Sequence, residues 1–165
     1  MTFLQISRVS AEAFADMPSL AELDLGRNKL IADAVDGPIF NLPHLKILNL
    51  SFNKLSKLNN KLLTSLGSLR RLDVSHNGIT EMEEDVLQSV QHLDYLNISF
   101  NNLREFHSKT FSGLVKLFEL DAGNNELSTL SDKLLADQRE LEYLSFANNQ
   151  IQVKHILNSI TPIFY

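Results

Sequence analysis

Apolar positions along this chain fall in a frame that resets about every 24 residues. In LDYLNISFNNL, from Leu93 to Leu103, leucine or isoleucine holds the first, fourth, sixth and eleventh places and asparagine the ninth. The stretches starting at Leu20, Leu45, Leu69, Leu117 and Leu141 repeat that frame. Asn28, Asn53, Asn77, Asn101, Asn125 and Asn149 therefore recur at intervals of 25, 24, 24, 24 and 24. Alternation inside the frame is that of a short strand with one buried side. It sets the pairs Leu23/Leu25, Leu48/Leu50, Leu72/Val74, Leu96/Ile98, Leu120/Ala122 and Leu144/Phe146 inward, and the first complete strand is predicted at Ala21 to Gly26. After each asparagine come further inward residues: Leu30, Leu55, Ile79, Leu103, Leu127 and Ile151, then Leu58, Met82, Phe106 and Leu130. Each repeat closes with apolar residues three apart, such as Leu63, Leu66 and Leu69 or Phe111, Leu114 and Leu117, a spacing that suits a short helix or 3-10 turn.

Such a period predicts a stack of supersecondary units sharing one continuous core. Residues 1–152 form the stack, with a partial first repeat over 1–19 and six repeats after it; 153–165 form a tail that caps the stack or binds a partner. The partial repeat, with Leu4 at the asparagine position, reads as a chain cut from a longer one. In the longer second interval, Asp36-Gly37-Pro38 predicts a bulge on the outer side. In the last repeat Gln138 replaces an apolar residue of the outer arc, and Lys154 a leucine. Val153, Ile156, Leu157 and Ile160 then take helical spacing up to Thr161-Pro162.

The frame F-x-x-L-x-x-L-x-x-L-x-L-x-x-N-x-L, clearest in FSGLVKLFELDAGNNEL from Phe111 to Leu127, resembles the 24-residue typical class of leucine-rich repeats. LNLSFNKL, LDVSHNGI and LNISFNNL resemble Toll-like receptor ectodomains and the secreted leucine-rich-repeat immune proteins of insects. The resemblance covers about residues 4–151. It implies an α/β solenoid, a curved right-handed horseshoe segment with a parallel concave sheet of about six strands and short helices, 3-10 turns and loops on the convex side. It also implies non-catalytic protein recognition, in an extracellular or secreted protein of innate immunity or adhesion. The alternative is an intracellular scaffold or regulatory adaptor in the cytoplasm, which a chain without cysteines and without a signal-like start also fits.

Residues that the scaffold does not demand mark where recognition would lie. Counting from the first leucine of the frame, the third column reads Glu22, Ile47, Arg71, Tyr95, Glu119, Tyr143 and the eighth reads Arg27, Phe52, His76, Phe100, Asn124, Asn148. With Phe118 from the second column, Ile47, Phe52, Arg71, His76, Tyr95, Phe100, Phe118 and Tyr143 form a candidate protein-binding patch on the concave face, of the aromatic and arginine character common in interface anchors. Phe52 and Phe100 have a second reading, as rings stacked on the neighbouring turn. The fifth column, Asp24, Asn49, Asp73, Asn97, Asp121 and Ser145, reads as strand-end hydrogen bonding. Calcium does not fit it: carboxylates in alternate repeats stand about 9 to 10 Å apart, too far for one ion with ligands at about 2.4 Å. Asn49-Leu50-Ser51 and Asn97-Ile98-Ser99 are sequons, so Asn49 and Asn97 are candidate glycosylation sites, although the repeat frame generates this triplet by itself. The six ladder asparagines are expected to turn inward and satisfy backbone groups. Asn77 and Asn101, mid-stack, should then matter more than Asn28 or Asn149.

Composition narrows the chemistry. A net charge of −5 gives no basic footprint for nucleic acid. No run approaches the roughly 20 apolar residues of a membrane span. The absence of cysteine excludes disulfides and thiolate metal sites within this chain. His44, His76, His92, His107 and His155 share no repeat position and form no ligand motif, and Asp73, Ser75 and His76 lie on one strand and its exit, without an oxyanion pocket. No cofactor, metal or catalytic residue is expected. The acidic runs Glu81 to Asp85 and Asp137 to Glu142 read as solvated surface. Self-association through Val153 to Tyr165 is a further expectation.

Overall fold

A computed structural model describes residues 5–10, 12–31 and 41–152. The expectations at Asp36-Gly37-Pro38 and in the tail from Val153 lie outside these residues. One three-residue strand per repeat builds the solenoid: β1 (Glu22–Asp24), β2 (Ile47–Asn49), β4 (Arg71–Asp73), β6 (Tyr95–Asn97), β7 (Glu119–Asp121) and β8 (Tyr143–Ser145). They pair in parallel in the order β1-β2-β4-β6-β7-β8. Register is unbroken, so Glu22, Ile47, Arg71, Tyr95, Glu119 and Tyr143 lie side by side. The strands are shorter than the alternation predicts and end at the fifth column, although hydrogen bonds between neighbouring repeats continue beyond them, from the Leu25 N–H to Asn49 O and from the Arg27 N–H to Ser51 O.

Side chains of the predicted inward set fill the core. Leu48, Leu50, Leu72, Val74, Leu96, Ile98, Leu120 and Ala122 are at most 1% exposed. Each fully buried leucine contributes about 1.5–3 kcal/mol relative to an exposed one, and the contribution repeats from turn to turn. At the two ends of the described stack Leu23, Leu144, Phe146 and Ile151 are only partly buried. The partial first repeat docks through Ile6, which accepts a hydrogen bond from the Lys29 N–H at 2.8 Å and donates to Asn28 Oδ1 at 2.9 Å.

The convex arc is mostly turns. Leu66 N donates to Leu63 O and Leu69 N to Leu66 O, and the same three-residue step links Phe111, Leu114 and Leu117. Among the described residues one arc closes into a helix, α1 (Asn60–Leu63), with Asn59 as N-cap. A second parallel pair lies beyond the asparagine turns: β3 (Lys57–Leu58) with β5 (Glu81–Met82). It was not legible in the apolar frame, because its ladder depends on how closely two loops approach.

The acidic side chains of both runs are exposed, as read from the sequence, while some other residues between them are not. Glu81 belongs to β5, and in the second run Gln138 and Leu141 are buried. Asp137 Oδ2 accepts from the Gly113 N–H and from Ser112 Oγ, both at 3.2 Å. Gln138 stands where other repeats carry methionine, leucine or valine, and its Nε2 donates to Phe111 O at 2.7 Å.

Candidate recognition surface

Three backbone devices shape the concave side before any variable residue is placed. In the fifth column the side-chain oxygen of Asp24, Asn49, Asp73, Asn97 and Asp121 accepts the N–H two residues on, at 2.8 to 3.0 Å. These strand-end turns are the structural role read from the sequence. In the seventh column side chains stay small because space is short: a Cβ on Gly26 would stand 2.9 Å from Asn49 Nδ2. At the eighth column the chain turns left-handed, with φ between 51° and 57° at Arg27, Phe52, His76, Phe100, Asn124 and Asn148. A left-handed residue other than glycine costs about 1–2 kcal/mol. Hydrogen bonds between repeats hold it in place: the N–H of Phe52, His76 and Phe100 each donates at 3.0 Å to the seventh-column carbonyl of the next repeat.

That turn aims the eighth-column side chains at one rim, where they stack. Phe52 and His76 lie 4.0 Å apart at 8°, His76 and Phe100 4.1 Å apart at 11°, and the Arg27 guanidinium covers Phe52 at 4.4 Å. Asn148 Nδ2 donating to Asn124 Oδ1 at 2.9 Å continues the row. The phenylalanines thus stack on the neighbouring turn, the second of their two sequence readings, and stand 40% and 46% exposed.

A second strip runs along the start of the strands. Arg71 stacks over the Tyr95 ring at 4.1 Å. Burial raises the Tyr95 phenol above its ordinary 10.0; a hydrogen bond with the Asn97 side chain lowers it, Asp73 and Glu119 raise it, and Arg71 lowers it. Beside this pair a depression of about 460 Å³ is bordered by Arg70, Asp94, Lys116, Phe118, Glu119, Glu140 and His92. Arg70 meets Asp94 at 3.8 Å and Lys116 meets Glu140 at 3.0 Å across neighbouring repeats. Sequence reasoning set Arg70 and Phe118 beside the third column but did not pair these charges, although the signal was present: each pair is a cation followed by an anion 24 residues later in the same column.

Contacts join the candidate residues in two groups. Phe52, His76 and Phe100 make the rim stack; Arg71, Tyr95 and Phe118 make the flank, next to Ile47 in register; the fifth column lies between. Tyr143, 48% exposed on β8, is separated from Tyr95 by Glu119. At the sequons, Asn49 and Asn97 each accept two hydrogen bonds through Oδ1, from the N–H and Oγ of Ser51 and of Ser99, and both serines are buried. Among the described residues no group of three or more His, Cys, Asp or Glu side chains could hold a metal ion, and no helix is long and apolar enough to cross a membrane.

A parallel sheet of short strands, each closed by an inward asparagine and a convex turn, defines a repeat solenoid of the kind that serves as a binding scaffold. The leucine rich repeat family model matches residues 31–79 and 68–127, more than half of the chain. The chain belongs to the leucine-rich repeat family. It is 34% identical over 85 residues to CD180 antigen of Homo sapiens, across 50% of this chain and 13% of that protein. Among solved structures, a leucine-rich-repeat protein of Leptospira interrogans aligns with a TM-score of 0.80 at 27% identity, over 92% of this chain and 37% of the other. TLR13, in its complex with ssRNA13, aligns with 0.77 at 25%, over 90% and 24%. The octameric complex of latrophilin 3, Unc5D and the leucine-rich repeats of FLRT2 aligns with 0.74 at 26%, over 90% and 52%. This chain thus spans only part of each of these proteins.

Proposed function

We propose that this chain is the recognition segment of an extracellular leucine-rich-repeat protein, acting without catalysis in innate-immune recognition or cell adhesion and binding a protein partner through its concave face. One observation carries the reading. The core is closed by leucines, yet Phe52, Phe100, Phe118 and Tyr143 stand 40 to 48% exposed around the concave sheet, where the repeat frame does not require them. Exposed aromatics grouped with arginine are characteristic of interface centres. Similarity to CD180 and to FLRT2, the latter in a complex with other proteins, supports the extracellular and protein-binding parts. A nucleic acid is not favoured, although TLR13 was solved with ssRNA13: a net charge of −5, with Asp24, Asp73, Glu119 and Asp121 on the concave strands, opposes a polyanion. The two sequons are read as products of the repeat frame, their Oδ1 atoms committed to the strand-end turns.

The test is binding of the secreted chain to individually expressed extracellular domains. For any partner found, Arg71→Glu with Tyr95→Ala, and Phe52→Ser with Phe100→Ser, should weaken binding about tenfold or more, as expected for anchors worth over about 1.4 kcal/mol. Val115→Ser, at an exposed position of the convex arc, should leave it within twofold. Loss with the convex variant and retention with both concave pairs would overturn the reading.

A further inference from the structure

The flank depression is more specific than an exposed aromatic patch, because its charges are unequally satisfied. Arg70 and Lys116 already face Asp94 and Glu140. Arg71 and Glu119 do not: among the described residues neither forms an ion pair, and the Arg71 guanidinium lies over the Tyr95 ring. They stand on β4 and β7 in one register row, one on either side of Tyr95. At about 4.8 Å per strand their Cα atoms are about 9.6 Å apart. Phe118, 45% exposed and bordering the same depression, adds an apolar wall next to Glu119.

We propose that this depression binds a short extended segment of a protein partner, carrying one acidic and one basic side chain three residues apart with an apolar side chain between them. The proposal rests on the concave-side recognition described above and names the chemistry recognised. The spacing follows from backbone geometry. A polyproline II segment rises about 3.1 Å per residue with three residues per turn, so residues i and i+3 share a face about 9.3 Å apart. An acidic group then meets Arg71 and a basic group meets Glu119, while an apolar side chain between them, turned about 120° off that face by the threefold twist, reaches sideways toward Phe118. Such a segment enters already extended, with little conformational entropy left to lose. Because a polyproline II strand presents the same face in either chain direction, charge composition and spacing decide recognition rather than chain polarity.

The experiment titrates the full isotope-labelled chain, followed by nuclear magnetic resonance, with three capped peptides: Pro-Asp-Leu-Pro-Lys-Pro, its Asp/Asp analogue and its Lys/Lys analogue. The dipolar peptide should shift resonances of Arg71, Tyr95, Phe118 and Glu119 saturably and bind up to about fivefold more tightly than either analogue, the range of an exposed ion pair. R71E should transfer preference to the Lys/Lys peptide and E119R to the Asp/Asp peptide, while the double variant R71E/E119R, at unchanged net charge, should return it to the dipolar one. Dispersed spectra of the variants confirm that they fold. Absence of saturable shifts at these residues, or one ranking of peptides in all four proteins, would overturn the proposal. So would shifts at the same residues that grow with protein concentration alone, which would assign the depression to a second copy. Should the peptides fail while concave variants still abolish a protein partner, only the dipolar-segment inference falls. If the ranking switches as stated but concave variants leave partner binding intact, the recognition reading falls instead.

Discussion

Replacing Asn101 by alanine tests the asparagine ladder at its most enclosed rung. Asn101 is 6% exposed; its Nδ2 donates to Val74 O, Ile98 O and Ser99 O at 3.0 to 3.1 Å, and its Oδ1 accepts from Ile79 N at 3.0 Å. These four bonds are not equally costly to lose. Val74 O also accepts from Asn77, Ile98 O from Asn125, and Ser99 O from the His76 N–H, so each carbonyl keeps a partner. The Ile79 N–H, in a residue 1% exposed, keeps none. A buried donor left unmatched costs about 1–3 kcal/mol, and the weakened carbonyls bring the expected loss to about 2–3 kcal/mol. At about 2–4 °C per kcal/mol for a chain of this size, the melting temperature should drop by roughly 5–10 °C. Asn28→Ala should cost under about 1 kcal/mol, because its Oδ1 accepts only the exposed Ile6 N–H, which water can satisfy. Asn149 is instructive. It lies near an end, yet makes the full set of bonds to Ala122 O, Phe146 O, Ala147 O and Leu127 N. Its loss should therefore fall between the other two. Urea unfolding followed by circular dichroism, with slopes compared, measures all three. Equal losses at Asn101 and Asn28 would refute the reasoning.

Three further outcomes are expected. His76→Gly should be more stable than His76→Ala by about 1 kcal/mol in the same assay, since both remove the ring stack but only glycine accepts φ of 51° without strain; the reverse order would show that the left-handed turn stores no strain. Gln138→Leu should be neutral or stabilising by up to about 1 kcal/mol: it removes a buried Oε1 without a partner, and Phe111 O keeps the Leu114 N–H. A loss above about 1 kcal/mol would mean that the Gln138 amide is needed to hold the last arc. Tyr95 has a folded pKa above 10.0, raised first by burial. Its contribution is therefore complete below the unfolded value near 10 and is lost as pH rises through the folded value. Tyr95→Phe should flatten the fall of stability above about pH 10, and an unchanged alkaline slope would count against the burial of that phenol.

The apolar frame alone determined the architecture, because a side-chain period of two inside a unit of 24 leaves one way to bury Leu48, Leu50 and their equivalents: parallel strands stacked in register. The same ruler marked which columns the scaffold leaves free. It did not show how the free residues divide. Phe52, His76 and Phe100 part from Arg71 and Tyr95 because a left-handed residue before each asparagine turns the eighth column to a rim, and left-handed φ at phenylalanine or arginine has no propensity signal. Nor did it show which charges are spent. Arg70 and Arg71 are neighbours in sequence, but strand alternation and a 24-residue step give Asp94 to the first and leave the second on an aromatic ring. Periodic burial was local enough to be written in the chain, whereas pairing across repeats depends on distances that exist only once the turns are stacked.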